Sequence, residues 1–263
     1  MKTTRAVGCA FLFFAYCGIA HALIVPVSSN AVISASGGAS VAAAYGGQAE
    51  SYSITRSHSN FSSLTDGVSG SAQVEAQNLD DGQALIFGTT LQARSSASQS
   101  AQVGTNAISV SSTVTANTPR HPQVGSVSST ARSFAELTFR IDQLSTFELS
   151  GSGSYGTEWW FDAKTYRASL TSSNGSQLFQ VQERETDSFY FSLAPPITGL
   201  MEPGTYTLRT DLIFNAGPFP PGEGHSGNIS LLLRVATVPD VGSTALPLGL
   251  AVLGLIAVRL RVS

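Results

Sequence analysis

Short segments in which apolar and polar residues alternate recur through most of this 263-residue chain. A β-strand places successive side chains on opposite faces, so this alternation predicts strands with one buried face. Clear examples in the first half cover residues 50–56, 71–77 and 103–115. Outside the two terminal segments, no window carries a long apolar stripe at the helical spacing. The chain is therefore expected to be all-β.

Glycine-rich pairs separate these runs, and Gly37-Gly38, Gly46-Gly47, Asp66-Gly67 and Asp81-Gly82 are predicted turns. Larger apolar side chains become frequent after residue 130. There the predicted strands cover residues 135–141, 145–149, 158–166, 178–182, 188–193, 205–214 and 228–236. Short strands bounded by turns predict an antiparallel two-sheet sandwich of jelly-roll or Greek-key type.

Residues 117–129 hold Pro119, Pro122 and Gly125 among small polar residues and form a candidate linker or long loop. Residues 23–237 are interpreted as one exported domain, because neither half is attached by an obvious flexible tether. A sub-boundary within 117–129, which would make two domains, is the alternative.

Charge and cysteine content exclude several classes of protein. Four of the 14 basic residues lie at the chain ends, which leaves ten bases against 17 acids between them. A net charge of −7 in that interior argues against a nucleic-acid partner, which needs a basic face. The only cysteines, Cys9 and Cys17, lie near the N-terminus, so the interior cannot be a disulfide scaffold or hold a thiolate metal site.

The N-terminal segment has the three parts of a secretory signal peptide. Lys2 and Arg5 precede an apolar stretch at residues 6–20, and Ala20-His21-Ala22 matches an A-x-A cleavage site. Residues 1–22 are therefore predicted to be a signal helix that is removed after Ala22. The alternative is a membrane anchor, although the stretch is short for a span of about 20 residues.

The C-terminal segment, residues 238–263, joins a polar motif, a short apolar run and a basic tail. Val238-Pro239-Asp240 precedes the apolar run at 245–258, which Arg259 and Arg261 follow. Two arginines behind a transmembrane helix hold that end in the cytoplasm. The run is shorter than the usual span of about 20 residues, which suits transient anchoring in the inner membrane. A plain tail anchor is the alternative.

These C-terminal residues resemble the PEP-CTERM sorting signal of Gram-negative bacteria, in its Val-Pro-Asp variant. The resemblance implies that an exosortase-type enzyme recognises Val238, Pro239 and Asp240 and processes the protein there. It also implies export to the cell surface or extracellular matrix, often together with exopolysaccharide. Asp240 in place of the commoner glutamate, and Pro247 in the apolar run, are the departures from the pattern.

Motifs that could carry chemistry have simpler interpretations. Gly151–Gly156 matches G-x-G-x-x-G, but a dinucleotide site needs a following helix, so a flexible hairpin turn is predicted. No positioned base and nucleophile can be found around the histidines. His121 and His225 are expected to be solvated in loops, and His58 lies in a polar segment.

Two further groups could hold a ligand or serve catalysis. Asn78, Asp80 and Asp81 offer oxygen ligands for calcium, but an exposed turn is the preferred interpretation. The acidic residues Glu183, Glu185 and Asp187 form the second group. They could serve glycoside hydrolysis, or they could simply lie at a solvated strand end.

Trp159 and Trp160 are the candidate carbohydrate contacts. Adjacent residues of a strand face opposite ways, so one indole is expected to enter the core and the other to face water or a loop. An exposed indole could stack on a sugar ring.

The sequence thus predicts an exported, non-catalytic bacterial surface or matrix protein with no cofactor or metal site. Its expected partners are an exosortase-type enzyme, transiently the inner membrane, and exopolysaccharide. A carbohydrate-binding module using Trp159 or Trp160 is the alternative function, followed by a secreted glycan hydrolase.

Overall fold

Thirteen antiparallel strands make up the described part of the chain, which comprises residues 24–43, 46–75, 90–118, 125–156, 164–183, 188–217 and 223–238 of a computed structural model. Residues Ala22–Val238 form one compact unit. The described residues contain no α-helix, and none of their elements is a helix long and apolar enough to cross a membrane. The expected signal and transmembrane helices fall on residues 1–22 and 239–263 and lie outside the described residues.

Two antiparallel sheets form a β-sandwich, as the alternation predicts. Sheet I has the order β2-β1-β6-β12-β8-β9. Its strands are β1 Ile24–Val41, β2 Ala49–Ser59, β6 Gly125–Ile141, β8 Lys164–Ser172, β9 Gln177–Glu183 and β12 Gly204–Ala216. Both sheets combine strands from before and after residues 117–129, so the two halves of the sequence interleave in the sandwich.

Sheet II has the order β10-β7-β13-β5-β4-β3, and β11 also pairs with β7. Its strands are β3 Ser63–Glu75, β4 Thr90–Val103, β5 Ala107–Thr118, β7 Ser145–Gly156, β10 Ser188–Ser192, β11 Ile197–Met201 and β13 Glu223–Thr237. Strands β10 and β11 pair with successive halves of β7, so they lie end to end along that strand.

The core between the sheets consists of two hydrophobic clusters that differ in the size of their side chains. A large cluster contains most of the aromatic side chains that the structure describes, including Tyr155, Tyr166 and Phe214. A smaller cluster is built from Ala39, Ala72, Ala93 and a few larger aliphatic residues. Alanine buries less apolar area than leucine or phenylalanine, so the smaller cluster contributes less hydrophobic stabilisation per strand.

Several glycines predicted to form turns lie within strands instead. Gly46-Gly47 does follow β1 as a turn, with φ values of 111° and 64°. Gly37-Gly38, however, continues β1, and Asp66-Gly67 continues β3. The reason at Gly37 is packing: a Cβ there would come within 2.8 Å of the Tyr52 ring. The glycine is needed for that close approach rather than for a turn.

The predicted hairpin turn at Gly151–Gly156 is also wrong, because these residues form the second half of β7. Gly153 faces the core, where a Cβ would stand 1.6 Å from the Tyr166 hydroxyl oxygen. The glycine therefore makes room for an aromatic side chain that crosses from sheet I. Part of the predicted linker is strand as well, since β6 begins at Gly125.

Candidate functional site

The outward face of sheet II carries rows of small polar side chains. One row contains one hydroxyl from each of six neighbouring strands, paired in register: Thr65, Ser100, Ser111, Ser230, Ser152 and Ser192. Neighbouring strands lie about 4.8 Å apart, so the row extends over about 24 Å. We call this row and the two rows that follow on one side of it the hydroxyl face.

Two further rows, which follow one after the other on one side of the first, continue the same chemistry. One contains Ser98, Thr113, Asn228, Ser154 and Tyr190, and the other contains Ser69, Ser96, Thr115 and Ser226. Their side chains include both donors and acceptors, and a few bond to one another. Asn228 Nδ2, for example, donates to Ser154 Oγ at 3.1 Å.

Tyr190 stands at the edge of the hydroxyl face and is 70% exposed. It lies on the edge strand β10 between Phe189 and Phe191, which pack against the core. The alternation in Ser188–Ser192 therefore turns the tyrosine outward while both phenylalanines face inward. Tyr190 is not among the site residues predicted from the sequence, although the same alternation could have identified it.

His58 and Asp66 form a hydrogen-bonded pair where the two sheets meet at one edge. His58 lies on β2 of sheet I and its Nε2 hydrogen-bonds Asp66 Oδ2 on β3 of sheet II at 2.7 Å. Arg56 Nη1 and the Gly67 N–H donate to the other carboxylate oxygen at 2.6 and 2.7 Å. These bonds lower the pKa of Asp66 below its ordinary value. The hydrogen bond with His58 is the largest cause, and the hydrogen bond from the Gly67 N–H is the second.

A base held by an acid is two thirds of a hydrolytic triad, which also needs a nucleophile. Within the described ranges, no hydroxyl or thiol hydrogen-bonds His58. Instead, a second bond joins the same two strands, since the Gln73 N–H donates to Glu50 Oε2 at 2.7 Å. The arrangement thus closes the edge of the sandwich between β2 and β3.

The other predicted site residues are placed as follows. His225 was expected in a solvated loop, but it lies on β13 and is only 1% exposed, because β13 begins before it and turns its side chain inward. Val238 follows the end of β13. Glu183 is the last residue of β9.

The other predicted site residues lie outside the described residues, namely Ala20, Ala22, Asn78, Asp80, Asp81, His121, Trp159, Trp160, Glu185, Asp187, Pro239, Asp240, Arg259 and Arg261. Across the described ranges, no three His, Cys, Asp or Glu residues group as metal ligands would.

A second polar site lies on the outward face of sheet I, around Phe134 of β6. Arg132 donates to both oxygens of Asp211 from Nε and Nη2, at 3.1 and 3.2 Å. Arg209 Nη2 donates to Asp211 Oδ2 at 3.3 Å. The two guanidinium carbons lie 5.3 and 5.0 Å from the centre of the Phe134 ring. The sequence analysis missed this group, because its members come from strands that are distant in sequence.

No family model matches the chain, and no curated protein matches it. Among solved structures, it resembles that of the infectious bursal disease virus Gx strain at 11% identity and a TM-score of 0.24, over 81% of this chain and 58% of that chain. The VP2 subviral particle of the same virus gives 9% identity and a TM-score of 0.21, over 83% and 63%. The chain thus spans less than two thirds of these proteins. TM-scores this low assign neither a fold family nor a function.

Proposed function

We propose that this chain is an exported bacterial surface or extracellular-matrix protein that has no catalytic role and associates with exopolysaccharide. The hydroxyl face is the single observation that carries this proposal. A row of hydroxyls spaced at about 4.8 Å offers repeated donors and acceptors to a polymer that is itself covered with hydroxyls. Water bridges extend such contacts at little cost in free energy, so shape and position matter more than any single bond.

The proposal also rests on the pattern of the two chain ends. A signal-like segment at 1–22 and a PEP-CTERM-like segment at 238–263 support export followed by processing by an exosortase-type enzyme. Inner-membrane anchoring through the apolar run and Arg259 and Arg261 would then be transient. Mass spectrometry of the exported protein tests this part of the proposal. We expect the C-terminus to be lost near Asp240, and a mature pool that still ends at Ser263 would contradict it.

Affinity electrophoresis of the full-length chain in detergent, through gels that contain a neutral polysaccharide such as dextran, tests the polysaccharide contact. We expect retardation of the wild type. Ser111→Arg places a large side chain on a middle strand of the hydroxyl face and should abolish most of the retardation. Ser53→Arg is the matched control, because Ser53 is also exposed and lies on the edge strand β2 of sheet I. Equal retardation of the two variants would show that the hydroxyl face is not the contact.

A carbohydrate-binding module is the second candidate function, and the exposed ring of Tyr190 favours it. An aromatic ring beside hydroxyl and amide groups can cover the apolar face of a sugar while its neighbours bond the hydroxyls. Tyr190→Ala should weaken retention on neutral polysaccharide about tenfold, while Leu200→Ala should not. Leu200 is a suitable control because it is 58% exposed on β11, along the same edge of sheet II. If the two variants bind equally well, Tyr190 is not a sugar platform.

Carbohydrate contact through Trp159 or Trp160 remains a prediction from the sequence, because both residues lie outside the described residues. Trp159→Ala and Trp160→Ala in the same assay would show whether either indole adds to retention. Retention unchanged in both variants would remove them from the candidate site.

A further inference from the structure

Three arginines of neighbouring strands lie together on the outward face of sheet I. Arg132 belongs to β6, Arg209 to β12 and Arg167 to β8. In the register of the sheet, Asp211 stands directly between Phe134 on one side and Arg167 on the other. We call Arg132, Phe134, Arg167, Arg209, Glu136 and Asp211 the arginine cluster.

Two of the three guanidiniums are held in place by acidic partners. Asp211, whose side chain is only 8% exposed, binds Arg132 and Arg209 together. Arg209 Nη1 also lies 3.7 Å from Glu136 Oε2. Both guanidiniums are near the ring of Phe134, which limits their conformational freedom. The cluster is therefore largely preorganised, and a ligand would not have to order these side chains.

Arg167 has no such partner, although it is half-buried. Within the described ranges it makes no hydrogen bond or ion pair, and its Nε is buried without an acceptor. Nε of Arg209 is likewise buried without an acceptor. The cluster contains three positive charges and two negative ones, so one guanidinium is left without a counter-charge. An anionic ligand that reached the terminal nitrogens of Arg167 would supply the counter-charge that the cluster lacks.

A carboxylate matches the guanidinium of Arg167 in charge and in shape. Guanidinium presents a planar fork of N–H donors, which matches the two oxygens of a carboxylate. Small hydroxyl side chains adjoin the cluster on the same face, where Thr138 and Thr207 lie two residues further along β6 and β12. A ligand with both a carboxylate and hydroxyls would find partners for each.

We propose that the arginine cluster binds a uronic acid unit of an acidic polysaccharide, with Arg167 as the residue that binds the carboxylate. This inference rests on the proposed association with exopolysaccharide and names the kind of sugar that sheet I would take. The ten bases and 17 acids of the chain interior give it a net negative charge. General electrostatic attraction to a polyanion is therefore not expected, and retention would have to come from a local site.

Arg167→Gln and Arg94→Gln make a matched pair of variants. Both remove one positive charge from an outward strand position. Arg94 lies on β4 of sheet II and, within the described part of the chain, also makes no ion pair or hydrogen bond. Neither substitution breaks a bond of the fold, and thermal unfolding of each variant would confirm that it is folded.

Binding of the full-length chain in detergent would be measured to polygalacturonate, to dextran sulfate and to dextran, with free galacturonate as competitor. We expect polygalacturonate to bind most tightly, Arg167→Gln to weaken it about tenfold, and Arg94→Gln to change it less than twofold. Added salt should weaken wild-type binding more steeply than binding of Arg167→Gln.

The possible contrary results separate the two proposals. Equal binding of dextran and polygalacturonate would overturn the carboxylate site but leave the association with polysaccharide standing. Tighter binding of dextran sulfate, or equal losses in Arg167→Gln and Arg94→Gln, would overturn the site as a specific receptor for carboxylate. Binding to none of the three polymers would contradict both proposals.

Discussion

The hydroxyl oxygen of Tyr166 stands 1.6 Å from the position that a Cβ on Gly153 would take. Tyr166 crosses from β8 of sheet I and donates a hydrogen bond to the backbone oxygen of Asn228 on β13 at 2.9 Å. Burial raises the pKa of this phenol well above its ordinary value, so it stays a neutral donor. One glycine of β7 thus allows a tyrosine of one sheet to bond the backbone of the other.

Gly153→Ala should therefore destabilise the fold severely. The methyl group would displace Tyr166 and weaken its bond to Asn228, and overpacking of this kind costs about 3 kcal/mol at the upper end of its usual range. Gly156→Ala on the same strand is the control, because a Cβ there meets no atom of the described residues within 4 Å. Urea unfolding would measure both changes. Similar midpoints for the two variants would show that the Tyr166 hydroxyl can move aside without cost.

The pKa of Asp66 gives a second prediction, one that depends on pH. The folded value lies below the ordinary value of 3.8, chiefly because of the hydrogen bond with His58. A carboxylate whose pKa is lowered by folding adds stability above its unfolded pKa and loses it as the pH falls towards the folded value. This contribution should be complete above about pH 5 and fade below pH 4.

Substitutions of the two basic partners would apportion that shift. His58→Gln should raise the pKa of Asp66 more than Arg56→Gln does, because the His58 bond is the largest cause and the Arg56 bond a smaller one. Titration of Asp66 followed by NMR would measure the two changes. The reverse order would mean that the guanidinium, rather than the imidazole, sets the state of this carboxylate.

Tyr52 closes the same edge of the sandwich and offers a third prediction. Its hydroxyl lies 2.7 Å from Ser95 Oγ, and its ring fills the space beside Gly37 and Gly70. Tyr52→Phe removes only the hydroxyl and should lower the free energy of unfolding by about 1 kcal/mol. Tyr190→Phe removes the same atom from an exposed ring and should change it by less than about 0.5 kcal/mol. Chemical denaturation would compare them, and equal losses would count against the Ser95 bond.

The sequence predicts some elements of this fold and not others, because the conformation of some residues is set by their own strand and that of others by packing against another strand. Alternation located β9, β10 and β12 closely, because inward and outward residues differ in polarity along those strands. It failed at Gly37-Gly38 and at Gly151–Gly156. There the glycines make room for aromatic side chains of other strands, Tyr52 of the neighbouring β2 and Tyr166 of the facing sheet, and their spacing alone resembles that of turns.

The candidate sites were harder to predict than the strands for a similar reason. Arg132 and Asp211 are 79 residues apart, and only the pairing of β6 with β12 brings them together. The hydroxyl face likewise depends on the register of six strands. A single sequence shows that its serines point outward, but not that they align into rows. Tyr190 is different, because the alternation around it was sufficient to place it on the surface.

Gln99 provides the last prediction, which concerns a polar group in the core. It is 2% exposed, its Nε2 lies 3.4 Å from Ser112 Oγ, and its Oε1 accepts no hydrogen bond from the residues that the structure describes. A buried amide oxygen without a donor is unfavourable, by about 1–3 kcal/mol. Gln99→Met keeps the length of the side chain and removes that oxygen, so it should raise the free energy of unfolding by about 1 kcal/mol.

Gln102→Met is the matched control for this effect, because Gln102 is exposed on the same strand, β4, and gains nothing from losing its amide. Denaturant midpoints of the two variants would be compared with that of the wild type. Destabilisation by Gln99→Met would contradict this prediction. It would mean that the amide oxygen accepts a hydrogen bond in solution and that the polar side chain stabilises this part of the core.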